Sequence, residues 1–418
     1  KQIDQNRDLR PDQLKAVYPV AAKPAGPATP PPMFAAILAG LALFALLSAI
    51  LQRWPTLLHP AHGIRHSRIG QIRLISHRGG KLVFAENTLA AFAHALATGC
   101  NCIEFDLWLT RDGHTVIHHD PTFARLSGDK RRISECTLAE LPRLSDERVL
   151  AARVNQFGIS RAEQGTLLVG SEGVGSDRWL RTIPELKDVL DLVSNWPLSA
   201  PSDEEVPGFS SVAKEQFAVE PAVLLEFKVN DEEMIRHART MVDAFGLSKR
   251  AFWFSLIAST NAALRRSADF TGMASLPTVS AFNDQIVYVW LWIFGLLPFV
   301  SMPDAVFAFP VGILNFAGVR RFRAADILPD WFVRVMLCAL KSSFHSAALC
   351  DHIKRRGMIT TVLIVNSVDD LETARNIGVD CFLTDDSTLL RELTDSELRS
   401  GLGGAPRAAA AAARAKEA

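Results

Sequence analysis

From about residue 72 onward, short apolar runs alternate with segments whose apolar residues recur at helical spacing. The runs are "IRLIS", "CIEFDLWLT", "TVIHH", "AVLLEFK", "AFWFS", "TGMASL", "TTVLIVN" and "DCFLTD". Several are separated by "NTLAAFAHALATG", "IPELKDVLDLV", "DEEMIRHARTMVDAFG", "FHSAALCDHIKRRG" and "VDDLETARNIG". The first set reads as strands and the second as amphipathic helices. The first helix is expected to be capped by Asn87 and to end at Gly99, and "RDG" after the second strand reads as a turn. Repeated strand–helix alternation implies parallel pairing through helical crossovers. About eight strands favour a closed (β/α)8 barrel over an open sheet.

The rhythm is broken in a few places. Residues 141–178 and 196–217 read as long loops or insertions. Residues 1–32 are polar, then rich in Pro and Ala, and predict a disordered leader. Next comes a charge-free apolar run of nineteen residues, Met33 to Leu51. It is long enough to cross a bilayer core and longer than the apolar region of a usual signal peptide, so a transmembrane helix is expected over 33–52. Its flanking charges hardly fix an orientation. A second charge-free run of seventeen, Ile286 to Met302, is rich in aromatic residues and broken at Pro298. It reads as a shallow membrane-contacting insertion near the mouth of the barrel, with a core helix as the alternative. The barrel domain is expected over 72–392 and a low-complexity tail over 393–418. A start at Lys1 rather than Met leaves room for residues before it.

Composition changes this picture little. The 418 residues are 48% apolar, with 45 basic and 45 acidic side chains. A formal charge of zero gives no electrostatic reason to expect nucleic acid as a partner. The six cysteines show no C-x-x-C pair or zinc spacing and read as mostly buried free thiols.

The chemistry is concentrated at strand ends. Glu104 and Asp106 stand two residues apart on one strand and so share a face. Parallel barrel strands are covered on both sides, which leaves the barrel interior for such a pair. Two buried carboxylates repel and lose hydration unless a cation lies between them. Glu226, in "LLEFK", adds a third oxygen ligand, and the set suits Mg²⁺ or Ca²⁺ rather than zinc. Lys228 offers positive charge to an anion there, or alternatively a salt bridge to Glu226. His77 closes the first run and His119 the third. Two histidines across a phosphate can serve as general base and acid. Strand alternation turns the adjacent His118 the other way. Arg78 can fork onto phosphate oxygens. Glu86 is expected to brace Arg78 or His77, or simply to place charge at a helix N-terminus, and Glu86-Asn87 holds the loop after Gly80.

These residues resemble the glycerophosphodiester phosphodiesterases. The matching elements are His77-Arg78-Gly79, Glu86-Asn87-Thr88, Glu104-x-Asp106, Thr110-x-Asp112-Gly113, His119-Asp120, Glu226-x-Lys228 and Thr384-Asp385, in family order from about 72 to 392. The resemblance implies a TIM barrel. It implies a divalent metal on Glu104, Asp106 and Glu226, and acid–base catalysis by His77 and His119. "GLLPFVSMPDAVFAFP" (295–310), preceded by an apolar helix, is similar to the membrane-bound lysophospholipase D subgroup, which acts on lysophospholipids. That implies a protein held in the endoplasmic reticulum or another internal membrane. The chain departs from the family in its two long loops and in "VLIVN", where an aromatic residue is usual before Asn366. The rival readings are a hydrolase of water-soluble glycerophosphodiesters and a catalytically dead lipid-binding scaffold.

Overall fold

The computed structural model describes residues 32–81, 84–157, 177–198, 220–311, 329–386 and 388. The leader, the tail and most of both long loops (158–176 and 199–219) lie outside the described residues. The chain divides into two compact units, Lys1–Ile50 and Leu51–Ala418. In the first, a helix begins that runs over Pro32–Arg53. Among the described residues it alone is long and apolar enough to cross a membrane.

The second unit is a barrel. Its strands are β1 (Leu74–Ser76), β2 (Cys102–Leu109), β3 (Thr115–Ile117), β4 (Ala222–Phe227), β5 (Ala251–Phe254), β6 (Val306–Phe309), β7 (Ile359–Val362) and β8 (Cys381–Thr384). Parallel ladders run in the order β5-β4-β2-β1-β8-β7-β6. Residues 277–280 fill the gap between β5 and β6. Trp253 pairs with Thr278 and Val279 with Val306, both in parallel. Trp253 N–H donates to Pro277 O at 3.1 Å and Ser280 N–H to Val306 O at 2.9 Å. The ring therefore closes on eight parallel members, as expected of a TIM barrel.

Period-two alternation sorts the strands' side chains. On β2, Ile103, Phe105 and Leu107 face the outer helices, as do Val223, Leu225 and Phe227 on β4. Cys102, Ala222 and Leu224 join Ile75, Val306, Ile359 and Cys381 in an interior apolar layer at the strands' N-terminal ends. The same inward faces then continue as Glu104 and Asp106 on β2 and Glu226 on β4. The barrel is thus greasy at its closed end and acidic at its mouth.

Several expectations need correction. "TVIHH" is a strand but not a barrel member. β3 pairs antiparallel with β2, with Leu107 opposite Ile117 and Leu109 opposite Thr115, as the second arm of a hairpin at the mouth. "TGMASL" is a helix end and a turn, and the following "PTVS" takes the ladder position instead. The 141–178 stretch contains a helix, Asp146–Phe157, with Asp146 and Glu147 favourably placed in its first turn. Five of the six cysteines are buried, as expected, and Cys338 is exposed.

The second apolar run becomes the outer helix Phe282–Ile293 followed by a short turn, Leu297–Phe299. Tyr288, Val289 and Leu297 pack into the core. The helix leaves the mouth end after Ser280 and must return to the closed end before β6 starts at Val306. Its exposed second half therefore lies away from the mouth, contrary to the sequence-based expectation.

Candidate active site

The turn after β1 explains the sequence His77-Arg78-Gly79-Gly80. Arg78, Gly79 and Gly80 are all left-handed, with φ of 55°, 81° and 80°. Gly79 is required twice over, since a Cβ there would also lie 2.8 Å from the Ala91 Cβ of the helix Leu89–Ala97. Strain of this kind at Arg78 persists where surrounding contacts fix it. Here Arg78 N–H donates to Glu104 Oε2 at 2.9 Å. The Arg78 carbonyl accepts from Asn87 N–H at 2.9 Å.

Asn87 also has a positive φ, 58°. It does not cap the helix as the sequence suggests. Thr88 is the cap, its Oγ1 accepting from Ala91 N–H at 3.3 Å. The Asn87 side chain is released for the site, where Nδ2 donates to Asp106 Oδ2 at 2.7 Å.

Glu104, Asp106 and Glu226 are buried, and each brings a carboxylate oxygen within 4.8 Å of the other two. Lys228 Nζ lies 2.6 Å from Glu226 Oε1 and 2.8 Å from Asp106 Oδ1, so both readings of Lys228 meet at one place. Arg78 Nε is 3.5 Å from Asp106 Oδ2. Even so, Glu104 Oε1 is buried without a hydrogen-bond partner. Burial, then Asp106 and Glu226, raise the Glu104 carboxyl well above the usual range. Burial pushes Glu226 up to about 7. Against its own burial, Lys228 and Arg78 hold Asp106 low. Two local cations do not satisfy three buried carboxylates. A bare, acceptor-only oxygen in an all-oxygen cluster fits a hard divalent ion.

The two histidines stand on carboxylate braces. His77 Nδ1 is 2.6 Å from Asp385 Oδ1. The same oxygen is 3.2 Å from Lys81 Nζ, and Asn366 Nδ2 donates to Asp385 Oδ2 at 2.7 Å. Burial lowers the His77 imidazole to about 4. His119 Nδ1 is 2.8 Å from Asp120 Oδ1. A carboxylate only accepts, so in both histidines Nδ1 carries the proton and Nε2 is left for other work. His118 is turned the other way. It is buried edge-on to Phe123 at 5.5 Å, with Nδ1 donating to the Asp120 carbonyl at 2.9 Å.

Glu86 meets Arg78 at 3.1 Å, as one sequence reading had it, and does not meet His77. Against burial, Arg78 and Arg125 hold its carboxyl far below the usual range. Arg125 was not anticipated. It lies in the loop after β3, in a stretch with no periodic signal. Asp385 and Asn366 were visible as motif residues without an assigned task. Lys81 had no signal beyond its place after the glycines.

Several known proteins resemble this chain. Lysophospholipase D GDPD3 of Mus musculus is 25% identical over 367 residues, 88% of this chain and 94% of its own. Lysophospholipase D GDPD1 of Homo sapiens is 24% identical over 85% of this chain and 95% of its own. A solved glycerophosphodiester phosphodiesterase from Agrobacterium tumefaciens superposes with a TM-score of 0.47 at 14% identity, covering 77% of this chain and all of that one. The sequence profile of the Glycerophosphoryl diester phosphodiesterase family matches residues 77–287, which carry the strained turn, the three carboxylates and both histidines. The chain belongs to the Glycerophosphoryl diester phosphodiesterase family, whose members cleave phosphodiesters.

Proposed function

We propose that this protein is a membrane-anchored, metal-dependent phosphodiesterase that removes the head group of lysophospholipids, with His77 and His119 moving the protons. The observation that carries the reading is the convergence of Glu104, Asp106 and Glu226 around a bare oxygen, between two histidines with free Nε2 atoms. Glu104, Asp106 and Glu226 would hold one Mg²⁺ or Ca²⁺, which supplies positive charge to the phosphodiester oxygens. Arg78 and Lys228, already at the cluster's edge, bind and orient the same oxygens and stabilise the charge that develops on them. We assign His77 as the general base. It is buried and neutral, and Lys81 beside Asp385 disfavours a second positive charge there. His119, oriented through its Nδ1–H on Asp120, would give the leaving alcohol a proton from Nε2.

The lysophospholipid assignment draws on the two lysophospholipase D relatives, which this chain matches over most of its length. The rival substrate is a water-soluble glycerophosphodiester. The anchor is Met33–Leu51. A signal sequence shares its length and composition, and N-terminal sequencing of the mature protein separates the two. An internal membrane as location, the endoplasmic reticulum among them, rests on the family resemblance. The deciding experiment is choline release from lysophosphatidylcholine and from glycerophosphocholine, each with and without chelator. Loss with chelator, restoration by Mg²⁺ or Ca²⁺ and preference for the lysolipid support the proposal. Full activity under chelation overturns the metal, and preference for glycerophosphocholine overturns the substrate.

A further inference from the structure

The closed end of the barrel is covered by chain that follows directly from the apolar helix. Arg65 binds Asp380 at 2.7 Å, and His62 Nε2 lies 2.9 Å from the Met302 carbonyl. Ile69 and Ile72 pack with Val306, Ile359 and Cys381, the first residues of β6, β7 and β8. The end of the second apolar run meets the same place. His352 Nδ1 donates to the Gln52 carbonyl at 3.2 Å and its ring lies 5.3 Å from Trp292. Arg356, buried, donates to the Val300 carbonyl at 2.6 Å and to the Leu297 carbonyl at 3.4 Å.

Large apolar side chains stand in solvent around this junction. Trp54, Leu57 and Leu58 are exposed on one side, and Trp290, Ile293, Leu296 and Phe299 on the other, with Phe294 62% exposed. Trp290 and Phe294 stack at 6.1 Å, and the Arg53 guanidinium lies over Trp54 at 5.7 Å. Exposed aromatic side chains clustered on two segments that meet at one end of a barrel mark an interaction site, and Trp beside Arg is the composition of a membrane–water boundary. The catalytic groups occupy the other end: Asp106 and Glu226 lie toward the C-terminal ends of β2 and β4, and Asp385 just beyond β8.

We propose that the closed end of the barrel, through Trp54, Leu57, Trp290, Phe294 and Phe299, rests on the bilayer that takes Met33–Leu51, so that the catalytic mouth faces water. The occupant is that bilayer because the exposed surface continues from the last turn of the apolar helix. Substrate then reaches the mouth through the aqueous phase. This favours diesters with measurable monomer solubility, single-chain or deacylated, over two-chain phospholipids held in the same bilayer. The inference rests on the anchor reading of Met33–Leu51.

The test uses the full chain, with exposed Cys338 changed to Ser, in phosphatidylcholine–phosphatidylserine vesicles. A polarity-sensitive dye is placed at F294C, or in a second protein at L256C, just beyond β5 at the mouth and 57% exposed. Quenching by bromolipid and a blue shift at 294 but not at 256 are expected. Quenching at 256, or none at 294, overturns the proposal, as does a dimer that shields the 294 dye without lipid. Turnover of glycerophosphocholine in the same samples keeps the readings apart: a docked but inactive protein sinks the enzyme assignment and leaves the docking intact.

Discussion

Arg125 clasps Glu86 with both terminal nitrogens, Nη1 to Oε2 at 2.9 Å and Nη2 to Oε1 at 2.6 Å. Its Nε donates to Asp120 Oδ2 at 2.6 Å. Glu86 orients Arg78 and Asp120 orients His119, so one guanidinium sets the spacing between the side chain proposed to bind the anion and one proposed to move a proton. A Lys keeps the charge but loses the fork. R125A is expected to lower kcat on the order of a hundredfold, as misplaced catalytic groups do. R125K should fall between it and wild type, and guanidinium ion should partly restore R125A. Equal loss in R125K and R125A without rescue would show that Arg125 serves the fold alone.

The carboxylate cluster makes a prediction that does not depend on turnover. Without cation, three buried acidic groups oppose one another. E104Q replaces the carboxyl whose charge is most disfavoured there by a neutral group of the same shape, so the chelated variant should unfold no earlier than chelated wild type in urea. Adding Mg²⁺ or Ca²⁺ should raise the wild-type midpoint and raise that of E104Q less. Activity of E104Q or D106A should be lost while the protein stays folded. A cation that stabilises both proteins equally binds elsewhere.

His77 and His119 are expected to lose activity on the order of a hundredfold or more when changed singly to Ala. H118A should lose stability instead, because its ring packs against Phe123. D385N should act through His77 by unsettling its tautomer, lowering kcat with little change in KM. If H118A is inactive but fully stable, the faces of the hairpin have been assigned the wrong way round.

His94 is buried against Phe84 at 5.3 Å, and its Nε2 lacks a hydrogen-bond partner. Burial lowers it to about 4 from the 6.5 of a free side chain. The unfolded chain therefore binds a proton that the folded chain refuses. Stability from this group is complete above pH 6.5 and falls as pH drops toward 4, by on the order of 3 kcal/mol in all. Replacing His94 by Phe should flatten the fall in urea midpoint across that window. An unchanged slope would place the acid sensitivity in other groups.

How much of this was legible in the sequence depends on the kind of signal. Glu104, Asp106 and Glu226 were readable because period-two alternation beside apolar neighbours leaves one direction for them to point. Helices with a strong apolar face were readable for the same reason. The antiparallel course of β3 was not, because alternation carries no strand direction. The ladder position of Pro277–Ser280 was hidden by its shortness and its Pro, Thr and Ser content. Thr88 displaced Asn87 as cap because Asn87 is needed at Asp106, a contact nineteen residues away in sequence. Arg125 shows the limit most clearly: its partners are 5 and 39 residues away, and nothing local marks it.

The hairpin of β2 and β3 leaves His119, one of the two histidines proposed to move protons, outside the barrel's own geometry. His77 is placed by the strand ring, and a shift there would move Glu104, Asp106 and Glu226 with it. His119 is placed by a three-pair ladder and the turn at Arg111–Gly113, so its position can be altered with the barrel untouched. Lengthening that turn by one residue would slip the ladder and exchange the outlooks of His118 and His119. The two proton transfers proposed here could thus be tuned separately, one by the strand ring and the other by a ribbon short enough to vary.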